Sequence, residues 1–329
     1  MIIVMMDLSN APRSVFAETE LPDQLLEELT DPRTVDVSSS QQIGYLLLNR
    51  HLVGEEKPIV AIGGFMSDVT TPDRAWEGAN LAALERPVLM LDMPGHGQSS
   101  PHSTEQIINL CFRRSADKQA EPVTEAVQRL LNPEDAIDYF GISHGSYLSL
   151  KATEQDPNDR VDTVFGIDVP AVKRQLTLGL QIGYVVADNV LGRKKYLEQL
   201  EGTEFDKDYE AFKDVHETYG VERANNFIRN NPGLFALNLI SSVNARPGAL
   251  ASWKSVLDTK KTSVRVVTSG NGSVSDPYAI KEFIDELPDE QKVRSSQRVI
   301  PNEDHNIGIV QMMPRAVQWA EEAYRKQVA

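Results

Sequence analysis

The sequence predicts an α/β protein in which a mostly parallel sheet carries helices on both faces. Three observations predict it. Short apolar runs such as Pro58-Ile59-Val60-Ala61-Ile62 and Pro87-Val88-Leu89-Met90-Leu91 have the unbroken hydrophobicity of strands buried on both faces. They alternate with amphipathic helical stretches, the rhythm of strand–helix–strand units. One strand-like run, Ala136-Ile137-Asp138-Tyr139-Phe140, leads into Gly141-Ile142-Ser143-His144-Gly145 and then into a helix-compatible segment from Tyr147 to Thr153. A serine at the tip of such a strand–turn–helix sits in strained backbone, and the flanking glycines let strand and helix pack while the hydroxyl projects outward.

A chain of 329 residues, 41% hydrophobic and 25% charged, can bury a large core. Its 33 basic and 48 acidic side chains leave a net charge of −15, which opposes binding to nucleic acid or anionic lipid. The single cysteine, Cys111, excludes an internal disulfide, and no Cys/His cluster has zinc-site spacing. Cys111 reads as a buried structural residue before a nucleophile. The apolar start Met1-Ile2-Ile3-Val4-Met5-Met6 is too short and wrongly flanked for a signal peptide or membrane span, so a cytoplasmic location is the default.

Residues 1–35 read as a lead segment packed on the core, with a helix over 21–29 ended by Asp31-Pro32. Residues 34–52 read as two antiparallel strands. The run at 58–62 is the first doubly buried strand and ends in Gly63-Gly64-Phe65-Met66; a helix over 73–84 and a strand at 87–92 follow. That strand runs into Met93-Pro94-Gly95-His96-Gly97-Gln98-Ser99. A helical section starting near Pro122, the serine-bearing turn and a strand over 161–168 come next. From 171 to 257 no strand pattern appears, while helical patterns recur, among them 176–200, 209–219, 221–230 and 234–243. This reads as a helical insertion overhanging the sheet's C-terminal edge. A strand at 264–268, the loop through Asp276, a helix opened by Pro277, a strand at 296–300, the His305 loop and a closing helix over 314–326 complete the chain.

A serine hydroxyl needs a base within hydrogen-bond reach and a group that orients the base. Of the six histidines, His305 follows the final strand, at the same sheet edge as the turn, and is the base candidate. His144, adjacent to Ser143, should point its ring elsewhere and offer its backbone N–H. His96 sits between glycines in a tight loop, with a structural or substrate-facing role, and Met66 is a second substrate-facing candidate. Asp276 is the orienting acid, in the chain order Ser143, Asp276, His305. Asp168 is the reserve candidate, and Asp304 is disfavoured by its adjacency to His305. The N–H groups of Phe65 and His144 are the candidate oxyanion donors.

Together Gly63-Gly64-Phe65-Met66, Asp92-Met93-Pro94-Gly95-His96-Gly97-Gln98-Ser99, Gly141-Ile142-Ser143-His144-Gly145 and the Asp276 and His305 loops resemble the α/β-hydrolase superfamily over nearly the whole chain. The resemblance implies an eight-stranded, mostly parallel sheet over 36–170 and 258–329, with a helical cap at 171–257 inserted after the sixth strand. Two departures from the pattern stand out: Gly63-Gly64 where His-Gly is usual, and Ser146 after the turn's last glycine. The resemblance further implies a serine hydrolase of a kind that includes carboxylesterases, thioesterases, acyltransferases and carbon–carbon bond hydrolases. Among these, the expected reaction is cleavage of a small to medium carboxylic ester or related small-molecule acyl substrate through an acyl-enzyme, without cofactor or metal. A carbon–carbon bond hydrolase is the alternative, and a non-catalytic binding protein on this fold is the alternative from another class. Leu178, Ile182, Tyr184 and Phe235 either line the pocket or pack the cap onto the core.

Overall fold

The structure is a computed structural model that describes residues 22–38, 41–64, 68–69, 72–110, 115–171, 232–270, 274–300, 317–319 and 322. Eight strands form one sheet: β1 (Arg33–Val37), β2 (Gln41–Leu48), β3 (Ile59–Ile62), β4 (Val88–Leu91), β5 (Ile137–Ile142), β6 (Val161–Ile167), β7 (Ser263–Ser269) and β8 (Ser295–Ile300). Their order is β1-β2-β4-β3-β5-β6-β7-β8. β1 and β2 pair antiparallel, as does β2 with β4, and every later pairing is parallel. The sheet therefore has the expected strand count and mostly parallel character.

The strands that read as continuous apolar runs are the central ones. Every residue of β3, β4 and β5 is buried. Alternate residues serve opposite faces, as the two-residue period of a strand requires. Val60 and Ile62 join a cluster with Val123, Val127, Leu148, Trp253 and Ile280. Ile59 and Ala61 join a second cluster with Leu25, Leu81, Val317 and Trp319.

The helices follow from these two layers. α1 (Asp23–Leu29) and α2 (Pro72–Ala82) belong to the second face. α1 is fastened to the chain after β2 by the buried Glu28, whose carboxylate accepts the N–H groups of Asn49 (2.6 Å) and Arg50 (3.2 Å). α4 (Asp117–Leu130), α5 (His144–Gln155), α6 (Pro232–Thr259) and α7 (Pro277–Glu286) cover the first face, and α8 (Asp289–Lys292) is a single turn before β8.

Three helices differ from the sequence expectation. α3 (Thr104–Ile108) is a short helix with a capping box between Ser103 and Gln106, and α4 begins at Asp117 rather than near Pro122. Proline inside a helix leaves the carbonyl four residues earlier without its donor. Here that carbonyl is Lys118 O, and the Gln106 side-chain amide donates to it at 3.0 Å. α3 thus supplies the hydrogen bond that Pro122 cannot. α6 is one helix of 28 residues, not a helix ending at 243. Its second half carries buried Ala249, Trp253, Val256 and Leu257, a helical stripe packed on the core. The boundary expected at 257 between cap and core falls inside this helix. Residues 172–231, which make up most of the expected cap, lie outside the described residues, as do the first part of the lead segment and Cys111.

Strand order places the candidate site. The chain passes from β3 outward to β4, then returns across β3 to β5, so the order reverses beside β3. Such reversals open a crevice at the strands' C-terminal ends. Ile62 pairs with Gly141, so Gly63-Gly64 and Ser143 emerge side by side at that crevice.

Candidate active site

Ser143 occupies the turn between β5 and α5 with φ 51° and ψ −120°, a backbone conformation that side-chain-bearing residues rarely adopt. It is held there by its N–H, which donates to Ile167 O on the neighbouring strand at 2.7 Å, and by its carbonyl, which accepts Ser146 N–H at 3.0 Å. The residue is 7% exposed.

The glycines around it are required by contact. A Cβ on Gly145 would lie 2.2 Å from Ile62 O and 2.4 Å from Gly63 O, and one on Gly141 would lie 2.4 Å from Ser146 Cα. Both obstacles are backbone. A Cβ on Gly64 would sit 3.5 Å from Ser143 Cβ, so the turn after β3 lies directly against the serine. Ser146, which follows the turn's last glycine, has a local use here. Its fully buried hydroxyl reaches Gly141 O at 2.7 Å and Ile167 O at 3.2 Å, tying the first turn of α5 to β5 and β6.

The two candidate acids stand at the same edge. Asp276 follows β7 and is the N-cap of α7, its Oδ1 accepting Tyr278 and Ala279 N–H, both at 3.0 Å. Its own N–H donates to Ala171 O at 2.8 Å, which joins the loop after β7 to the loop after β6. Both side-chain bonds fall on one carboxylate oxygen. Asp168 ends β6 with φ 49° and is wholly buried. Its Oδ1 accepts Ser269 N–H at 3.0 Å and the Ser269 hydroxyl at 2.9 Å, bracing β6 against β7.

His144 directs its ring away from Ser143, as expected from adjacency. Nε2 lies 3.2 Å from Gln119 Oε1 on α4, so it carries the proton that makes this bond, and the ring meets Tyr147 edge-on at 6.1 Å. His96 is buried in the loop after β4, with Nδ1 donating to Pro94 O at 3.2 Å, and Gly95 (φ 78°) and Gly97 (φ 50°) make the tight turn. Burial first, then repulsion from His96 and His102, lowers the His144 pKa to about 3. Burial lowers that of His96 to about 4, with His102 adding and the Pro94 carbonyl and Asp68 opposing. These neutral rings form, with His102, a buried imidazole group beside the turn. Gln119 and His102 carry no local signal in the sequence that would single them out.

Asp92 anchors this region. Oδ1 accepts Val69 N–H at 2.7 Å and Oδ2 accepts Gln98 N–H at 3.0 Å, tying the segment after β3 to the loop after β4. A Cβ on Gly44 or Gly97 would lie 2.4 Å or 2.2 Å from Oδ2, so both glycines make room for this carboxyl. Burial pushes its pKa up to about 7, with the Val69 N–H opposing and Asp68 adding.

The structure thus brings Ser143, the His144 turn, Asp276, Asp168, His96 and Asp92 to one edge of the sheet. His305, Phe65, Met66, Asp304, Leu178, Ile182 and Tyr184 lie outside the described residues. Among the described residues no group of three or more His, Cys, Asp or Glu side chains has the arrangement of a metal site, and no helix is long and apolar enough to cross a membrane.

Comparison with known proteins identifies the fold. A family model described as alpha/beta hydrolase fold matches residues 57–186. Among solved structures, the chain is similar to a carboxylesterase of the ammonia-oxidizing thaumarchaeon Nitrososphaera gargenis, with TM-score 0.59 and 15% identity over 90% of this chain and 98% of that one. It is also similar to a serine hydrolase involved in carbazole degradation (TM-score 0.55, 15% identity, 88% and 96% coverage). An esterase of Pyrococcus furiosus is a third such structure (TM-score 0.53, 13% identity, 92% and 94% coverage). At these identities the likeness carries the fold. No curated protein matches the chain in sequence.

Proposed function

Because the chain has the α/β-hydrolase fold, we propose that it is a serine hydrolase that cleaves a small to medium carboxylic ester or related acyl substrate through an acyl-enzyme. The observation that carries this reading is Ser143 itself, held at φ 51° between a strand and a helix that approach too closely for any residue but glycine at 141 and 145. Strain of this kind is retained where the chain needs a side chain aimed outward from a fixed point. The esterases and serine hydrolase among the similar structures support the same reaction class.

In this mechanism Ser143 Oγ attacks the substrate carbonyl while His305 takes its proton. Asp276 orients His305, and its side-chain bonds to α7 through Oδ1 support that role by fixing the carboxylate while Oδ2 accepts from the imidazole. The N–H groups of His144 and Phe65 take the oxyanion, each contributing ~3 kcal/mol of transition-state stabilisation. His305 then protonates the leaving alcohol, and water releases the acyl group by the same steps in reverse. No cofactor is required. The test is turnover of short p-nitrophenyl esters. Ser143→Ala should lower kcat at least ~10⁴-fold with an unchanged circular dichroism spectrum, whereas activity within tenfold of the parent would refute the assignment.

A further inference from the structure

Arg265 on β7 and Arg298 on β8 share one face of the sheet. The strands run parallel with Arg265 opposite Ser296, so Arg298, two residues beyond Ser296, projects to the same side as a diagonal neighbour. Both guanidinium groups lie against one indole: Arg298 is 4.4 Å and Arg265 is 5.7 Å from the Trp319 ring centroid. Trp319 is itself buried, edge-on to Phe165 at 6.4 Å. This cluster is level with the middle of β5 rather than with Ser143 beyond its end, since Phe140 pairs with Phe165 and Phe165 with Arg265.

Placing two partly buried cations side by side is unfavourable unless anions or aromatic faces offset it. Burial lowers the Arg265 pKa and Arg298 lowers it further; burial also lowers that of Arg298, with Glu322 opposing. Carboxylates do little here. Glu322, 46% exposed, lies 3.9 Å from Arg298 Nη2, the long limit of an ion pair. Asp138 acts on Arg265 from a distance, but it is engaged by Arg86 at 2.6 Å and Lys57 at 3.1 Å. Among the described residues Arg265 meets no hydrogen-bond acceptor, and its Nε is buried. A chain with 48 acidic residues has placed none of the described ones against this guanidinium.

We propose that Arg265, Arg298 and Trp319 form an oxyanion site, separate from the Ser143 site, that takes a phosphate group, either free or as a monoester. Guanidinium forks match tetrahedral oxyanions with paired N–H donors. A dianion neutralises both cations at once, which a single carboxylate cannot do. The Trp319 ring, within 6 Å of both guanidinium groups, offsets part of their charge.

Isothermal titration of the full chain at low ionic strength with inorganic phosphate, and separately with phenyl phosphate, tests this. Saturable one-to-one binding is expected, weakened at least about tenfold by Arg265→Gln or Arg298→Gln and unaffected by Ser143→Ala, so that it stands or falls apart from the hydrolytic reading. Tighter binding of phenyl phosphate identifies an organic phosphate as the ligand, and equal binding identifies the free ion; both support the site. Arg265→Lys keeps the charge but not the fork, and it should weaken binding with an unchanged melting temperature. Absence of saturable heat with either probe in the parent protein would overturn the proposal, as would undiminished binding in the Gln or Lys variants.

Discussion

Gly145→Ala is the sharpest test of how the fold aims Ser143. The added Cβ would lie 2.2 Å from Ile62 O and 2.4 Å from Gly63 O, both backbone atoms at the end of the central strand β3. β3 is locked between β4 and β5, with all four of its residues paired on each side. It cannot yield. To restore an ordinary carbon–oxygen contact, the start of α5 must move away by ~1 Å, and Ser143, bonded to Ile167 O through its N–H, must tilt with it. Overpacking of this kind costs ~1–3 kcal/mol of stability, and a 1 Å misplacement of a reacting group costs ~10²-fold in turnover. Urea unfolding and ester turnover measure the two effects together. Gly233→Ala is the control, because nothing lies within 4 Å of its added Cβ, and it should change stability by less than about 0.5 kcal/mol. A Gly145→Ala protein matching its parent in both stability and kcat would refute the close-packing argument.

Three further outcomes are expected. Asp276→Asn should lower kcat by orders of magnitude at nearly constant stability, whereas Asp168→Asn, which breaks the brace to Ser269, should show its main effect in urea unfolding; the reverse pattern would transfer the acid role to Asp168. His144 is buried with a pKa lowered to about 3, so its stabilising contribution is present above the unfolded value of ~6.5 and is lost as pH falls toward the folded one, at ~1.4 kcal/mol per pH unit. His144→Gln should therefore flatten the stability–pH slope between pH 6 and 4 by that amount, and an unchanged slope would contradict the burial argument. Asp92 acts with opposite sign: its pKa is raised to about 7, so its contribution is present at low pH and is lost as pH rises through 7. Asp92→Asn should steepen the acid-side loss in the same unfolding series.

The sheet was legible because its central strands are buried on both faces, so that β3 and β4 read as unbroken apolar runs and β5 as one interrupted only by Asp138, with Val60, Leu89 and Tyr139 all inside the core. The glycine spacing around Ser143 was legible for a similar reason: one local contact, helix against strand, dictates it. What escaped depends on distant partners. Pro122 reads as the start of a helix because the residue that satisfies Lys118 O, Gln106, lies in a separate segment. The helix through Pro247 reads as ending at 243 because the force extending it is the burial of Trp253 and Leu257 against α5 and the sheet, which no local propensity records. His144 was correctly expected to turn its ring from Ser143, but its partner Gln119 is 25 residues away in the chain and unmarked by any motif. The capacity of Asp92 to bind two loops at once likewise appears only when Val69 and Gln98 are brought beside it.

The central claim is that Ser143 is the nucleophile, and a fluorophosphonate probe followed by peptide mass mapping measures it most directly. A single adduct on Ser143 of the folded protein, absent after urea unfolding and absent from Ser143→Ala, is the predicted result. Failure of the folded protein to label, or equal labelling of Ser143→Ala, would contradict it.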